Sequence, residues 1–198
     1  MAGDLLNFLS EHHLDSPVLL GHSMGGKAVM AAALREPSHI SKLVVVDMPP
    51  VSLGLSSYFS AYIAAMKEIE DFKPRKQSEA DKILAKYEPD VGVRSFLLTN
   101  LKRTEDGELK FRVPYNILGN ALNAVGSFDV GLSTYEKPTL FIAGGKSRYY
   151  PPFLKHADAI REVFPRSRLE VVQGAGHWVH AEQPQQVLQL IAGFVDEP

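Results

Sequence analysis

Residues 2–13 place Leu5, Leu6, Phe8 and Leu9 on one broad face and Asp4, Asn7, Ser10 and Glu11 opposite, the pattern of an amphipathic helix ended by Leu14-Asp15-Ser16-Pro17. The apolar run Pro17-Val18-Leu19-Leu20 then reads as a strand, and the alanine-rich stretch from Gly26 to Glu36 as a helix stopped by Pro37. A second strand is expected at Lys42 to Val46, ended by Asp47-Met48-Pro49-Pro50. From Val51 to Thr134 the pattern holds only helix-like segments, at Tyr58 to Phe72, Glu79 to Tyr87, Val91 to Lys102 and Val113 to Ala124. This stretch, 51–134, is expected to be a helical cap inserted in a single domain that covers residues 1–198. Strand patterns resume at Thr139 to Ala143 and at Leu169 to Val172, with helices from Pro152 to Phe164 and from Pro184 to Val195. Near-continuous apolar strands alternating with helices predict an α/β fold with a mostly parallel sheet, of about four strands, covered on both faces.

Composition narrows the function classes. A chain of 198 residues, 45% hydrophobic and 22% charged, is globular in character. Its formal net charge of −2 provides no basic stripe for a phosphate backbone, so nucleic acid is not an expected partner. The absence of cysteine excludes disulfides, thiolate nucleophiles and cysteine-based metal sites. No apolar run approaches the roughly 18 residues that cross a bilayer, and Met1-Ala2-Gly3-Asp4 lacks the features of a signal peptide, so a soluble protein is expected. The mixed-sign run Lys102 to Glu108 reads as a solvated, hairpin-like turn. Tyr58, Phe59, Tyr62, Phe96 and Leu97 are candidates to line an acyl pocket, although apolar stripes at helical spacing are more often plain packing.

Between the first strand and the alanine-rich helix stands Gly21-His22-Ser23-Met24-Gly25, a G-x-S-x-G sequence in the strand-turn-helix setting that gives it meaning. Three fixed positions recur by chance in roughly one chain in fifteen of this size, so the flanking pattern carries the weight. In such a nucleophile elbow the tight backbone is expected to need glycine at both 21 and 25. The first free amide of the following helix, that of Met24, is the expected oxyanion donor.

A serine hydroxyl needs a base to take its proton and an acid to orient that base. Among the seven histidines, His12, His13, His39 and His156 occupy polar helical settings, and the side chain of His22 is expected to point away from the serine oxygen. His177, in the glycine-flanked loop after the last strand, is the candidate base, with His180 as runner-up. His177-x-x-His180 as a metal pair lacks an intervening glutamate and a third ligand cluster. The segment Ala143 to Tyr150, where an acid commonly follows its strand, contains no carboxylate. Asp47, at the carboxyl end of the strand after the serine strand, is the better candidate, and Asp129 the weaker one.

Gly21-His22-Ser23-Met24-Gly25-Gly26-Lys27, Val44-Val45-Val46-Asp47-Met48-Pro49-Pro50 and Gly174-Ala175-Gly176-His177-Trp178-Val179-His180-Ala181-Glu182 resemble the α/β-hydrolase superfamily. The resemblance is greatest to the mitochondrial abhydrolase branch with its bacterial esterase relatives and the yeast ethanol acetyltransferases. In that branch the acid follows the serine by 24 positions, as Asp47 follows Ser23. The resemblance implies Ser23, Asp47 and His177 as nucleophile, acid and base, a small-molecule acyl ester or thioester substrate, and no cofactor. It implies hydrolysis, with acyl transfer to an alcohol as the alternative, and a mitochondrial location. It also implies four further strands ahead of this chain, one of them leading to a second oxyanion donor. On that reading Met1 is an interior methionine and the serine strand an uncovered edge, and an inactive polypeptide that binds a partner through this edge is a further expectation.

Overall fold

The computed structural model describes residues 1–129 and 133–197, with the backbone alone at residues 56–58. The chain opens with α1 (Ala2–Glu11), β1 (Val18–His22), α2 (Met24–Arg35) and β2 (Lys42–Val46). It continues through α3 (Ser56–Phe72), α4 (Gln77–Leu84), α5 (Val91–Leu98), β3 (Leu101–Arg103), β4 (Leu109–Phe111) and α6 (Tyr115–Gly126). The last part comprises β5 (Thr139–Gly144), α7 (Tyr150–Lys155), α8 (Ala157–Val163), β6 (Ser167–Val172), α9 (Val179–Glu182) and α10 (Pro184–Asp196). Two compact units result, one from Met1–Ser52 with Phe128–Pro198 and the other from Leu53–Ser127.

In the first unit, β1, β2, β5 and β6 lie side by side in that order, all parallel among the described residues. Parallel pairing follows from the helical crossovers, which bring each strand back to the same end of the sheet. The central strands are buried on both faces, which is why Leu43-Val44-Val45-Val46 and Leu140-Phe141-Ile142-Ala143 read as unbroken apolar runs. One face packs Val44, Val46, Leu140, Ile142 and Val172 against Val179, Val187 and Phe194 of α9 and α10. Elsewhere in the core the ring of Phe141 meets those of Phe153 and Phe164 edge-on, at 5.4 and 5.7 Å. Strand β1 ends the sheet and alternates in burial, leaving Leu20 50% exposed while Leu19 faces inward. The helix expected over Pro152 to Phe164 is two helices, broken at His156, where φ −115° and ψ 25° leave the helical region.

The second unit has its own core of Ala65, Met66, Ile69, Ala80, Ile83, Leu84, Leu98, Phe111 and Tyr115. It is not helical throughout. The helix expected to reach Lys102 stops at Leu98, and β3 and β4 pair as an antiparallel hairpin, Lys102 opposite Lys110. Strands of three residues are too short to reveal a period of two, which is why the pattern showed only the turn between them. That turn is closed by the Thr104 N–H donating to the Glu108 carbonyl at 2.8 Å, with Gly107 at φ 82°. The expectation for 51–134 also touches 130–132, and that for the Tyr58 side chain falls at 56–58; both lie outside what is described.

Candidate active site

Sterics build the turn after β1. A Cβ on Gly21 would lie 2.3 Å from the Gly25 oxygen and 2.7 Å from the Gly26 nitrogen, and one on Gly26 would lie 2.9 Å from Val45 Cγ1. Glycine is therefore required at 21 and 26, where strand, helix and the neighbouring strand touch. Gly25, expected to be equally constrained, has open space where its Cβ would be. The tight contact falls one residue later because α2 lies against Val45 and Met48, a tertiary neighbour that a local motif does not reveal.

Ser23 sits at the tip of this turn at φ 55° and ψ −121°, a conformation that side chains other than glycine's rarely adopt. Its N–H donates to the Val46 carbonyl at 3.0 Å, and the Asp47 N–H donates to the Ile142 carbonyl at 2.7 Å. The parallel ladders thus extend one residue beyond β1 and β2, bringing Ser23 and Asp47 to the same rim of the sheet. Asp47 also has a positive φ, 52°, which turns the chain sharply out of β2.

The Asp47 side chain is fully buried and its carboxylate accepts from three directions. Oδ1 accepts the Gly144 N–H at 2.9 Å, while Oδ2 accepts the Ser147 hydroxyl and meets His177 Nδ1 at 2.7 Å. A carboxylate only accepts, so Nδ1 carries the proton and Nε2 is left bare. That Nε2 lies 3.0 Å from Ser23 Oγ, in position to accept the hydroxyl proton. The rings of His22 and Tyr149 each stand 4.7 Å from the His177 imidazole.

The loop bearing His177 is tied down by its backbone. The Lys146 N–H donates to the Ala175 carbonyl at 2.9 Å, the Gly176 N–H donates to Glu182 Oε2 at 2.8 Å, and His22 Nε2 lies 2.9 Å from the His177 carbonyl. A Cβ on Gly144 would fall 2.1 Å from the Gly176 oxygen, so the close approach of β5 to this loop needs glycine. Met24 opens α2, and its amide therefore has no acceptor one turn earlier in the helix.

Ser23, Asp47, His177 and Met24 converge on one rim. His180 is exposed on α9 with its ring 4.7 Å from that of His22, and it is His177, not His180, that meets Ser23. Asp129 is exposed, and it is Asp47 that meets His177 Nδ1. Ser147 and the Gly144 amide, two of the three donors to Asp47, were not foreseen. The signal was the very lack of a carboxylate in Ala143 to Tyr150: this loop holds a serine that donates to an acid supplied by the neighbouring strand. Among the described residues, no three His, Cys, Asp or Glu side chains are grouped so as to hold a metal ion.

Two basic side chains here have shifted pKa values. Burial, together with the charges of His177 and His180, holds the His22 imidazole below its ordinary value, against the opposing pull of its bond to the His177 carbonyl and of Asp47. Burial lowers Lys27, on the first turns of α2, to about 8. Among the described residues, no helix is long and apolar enough to cross a membrane.

Residues 2–190 match the model of the alpha/beta hydrolase family. The chain is 39% identical to the sn-1-specific diacylglycerol lipase ABHD11 of Mus musculus, over 98% of this chain and 64% of that protein. It is 33% identical to a probable alcohol acetyltransferase of Saccharomyces cerevisiae, over 99% of this chain and 62% of that one. The chain thus spans less than two thirds of the length of either relative. The solved structure of a marine microorganism esterase superposes with a TM-score of 0.89 at 32% identity, over 98% of this chain and 75% of that one.

Proposed function

The chain belongs to the alpha/beta hydrolase family, and we propose that it is a serine hydrolase that cleaves carboxylic ester or thioester bonds through an acyl-enzyme intermediate. The observation that carries this reading is the relay Ser23 Oγ, His177 Nε2 at 3.0 Å and, from the same ring, Nδ1 to Asp47 Oδ2 at 2.7 Å. The Ser23 oxygen attacks the substrate carbonyl carbon while His177 Nε2 takes the hydroxyl proton. The carbonyl oxygen becomes an oxyanion facing the Met24 amide, and its negative charge is stabilised by the positive N-terminal end of α2. When the carbonyl re-forms, the bond to the alkoxide or thiolate breaks and the leaving group takes the proton from Nε2. Water then attacks the acyl-serine by the same path, giving the free acid and restoring the hydroxyl. Asp47 holds the ring in the productive tautomer and stabilises the imidazolium formed in each step.

Relatives described as a diacylglycerol lipase and an esterase support hydrolysis, and the acetyltransferase supports an alcohol in place of water as acceptor of the same acyl group. The test is a fluorophosphonate label on the full chain and on Ser23→Ala, with product analysis of p-nitrophenyl acetate in the presence of ethanol. Labelling of the wild type alone, with acetate as the main product, is the expected result. Absence of labelling in the folded wild type, or its persistence in Ser23→Ala, overturns the reading. Ethyl acetate as the main product instead assigns acyl transfer.

A further inference from the structure

His22 precedes Ser23 directly, yet its side chain serves the opposite end of the relay. Its Nε2 lies 2.9 Å from the backbone carbonyl of His177, while the Ser23 hydroxyl lies 3.0 Å from the side chain of that same residue. Two adjacent residues of the turn therefore bond to one residue 154 and 155 positions away, one through its backbone and one through its ring. Resting on the serine-hydrolase reading above, we propose that His22 is a positioning residue, whose ring N–H clamps the His177 carbonyl and holds the base in register with the serine.

The loop needs such a clamp. Gly174 and Gly176 give the backbone before His177 wide conformational freedom, and Gly174 uses it at φ 84°. The bonds from Lys146 and to Glu182 fix Ala175 and Gly176, the two residues upstream. Only the bond from His22, among these three, holds residue 177 itself. A carbonyl only accepts, so His22 must carry its proton on Nε2. Its lowered pKa keeps the ring neutral at pH 7, with Nδ1 bare.

Neutrality matters to the chemistry as well. His177 and His180 face His22 with rings 4.7 Å away, and Asp47 acts on it from beyond His177. A charged His22 would stand beside the imidazolium that forms on His177 in each acyl-transfer step and oppose it. A neutral N–H donor supplies the same hydrogen bond without that repulsion. An amide side chain of similar reach would do so too, which separates donation from mere ring packing.

The experiment compares kcat and KM for p-nitrophenyl acetate in His22→Phe, His22→Met and His22→Gln of the full chain, with thermal unfolding of each. Phe keeps a ring without a donor, Met has the reach of Gln without a donor, and Gln donates. A displacement of the base by about 1 Å is worth roughly a hundredfold in rate, so kcat is expected to fall about 10- to 100-fold in the Phe and Met variants, with KM within about twofold. His22→Gln is expected to recover kcat to within about fivefold of the wild type. If His22→Phe does not fold, the pair Met and Gln decides by the same criterion. Kcat within about threefold of the wild type in the folded donor-less variants, a loss in KM alone, or a Gln variant as slow as Met overturns the proposal. Ser23→Ala is measured alongside: hydrolysis at the wild-type rate in that variant overturns the hydrolase reading instead.

Discussion

Replacing Asp47 by asparagine changes one atom's hydrogen-bonding character at the most congested acceptor in the site. Three donors converge on the carboxylate, from the Gly144 amide, the Ser147 hydroxyl and His177 Nδ1. The Gly144 N–H is backbone at 2.9 Å and cannot turn away, so the new amide keeps its oxygen there and places its NH2 where Oδ2 was. The Ser147 hydroxyl can rotate to accept. The imidazole can accept only by moving its proton from Nδ1 to Nε2, and that proton then points at Ser23 Oγ along the 3.0 Å contact. The base is present, in place and in the wrong tautomer. Kcat is expected to fall by roughly 10⁴, while stability changes by only about 1 to 3 kcal/mol because the bonds are exchanged, not removed. Steady-state hydrolysis of p-nitrophenyl acetate, the rate of fluorophosphonate labelling and thermal unfolding, measured on Asp47→Asn and Asp129→Asn together, form the assay. Retention of more than a tenth of kcat in Asp47→Asn would refute the reasoning, and a large loss in Asp129→Asn would return the acid's role to that exposed residue.

Two further outcomes concern stability. Ser23→Gly relieves the positive φ at the turn and is expected to raise the unfolding free energy by about 1 kcal/mol while abolishing fluorophosphonate labelling, so a variant less stable than the wild type in a urea titration would contradict the assigned strain. Lys27 titrates near 8 in the folded chain against 10.5 for an unperturbed lysine, so between those values the unfolded chain binds more protons and stability rises with pH. The penalty is fully present below pH 8 and gone above 10.5. It amounts to roughly 3 kcal/mol at most, and Lys27→Met is expected to flatten the rise of stability between pH 8 and 10.5 by removing the titrating group. Parallel curves for the two proteins in denaturant titrations across that range would show that burial of Lys27 carries no charge penalty.

Short-range physics governs what was legible in the order of residues alone. The unbroken apolar runs Leu43 to Val46 and Leu140 to Ala143 identify strands buried on both faces, because such runs leave no polar face for water. The nucleophile turn was legible because a strand, three glycines and an alanine-rich helix lie within a few residues of Ser23. The hairpin-like turn within Lys102 to Glu108 was legible, but the strands β3 and β4 beside it and the break at His156 were not, because three-residue strands and a single departing dihedral pair leave no periodic trace. The partners of Ser23 could be narrowed to a few histidines and acids, but their meeting is a tertiary event. His177 is 154 residues from Ser23 and 130 from Asp47, distances over which a pattern carries no geometry. Parallel pairing of β1 with β2 and of β2 with β5 aligns the strand ends on one rim, and that alignment decides that Asp47, Ser147, His22 and His177 share a site. Local composition chose the elements; the register of the sheet chose which side chains touch.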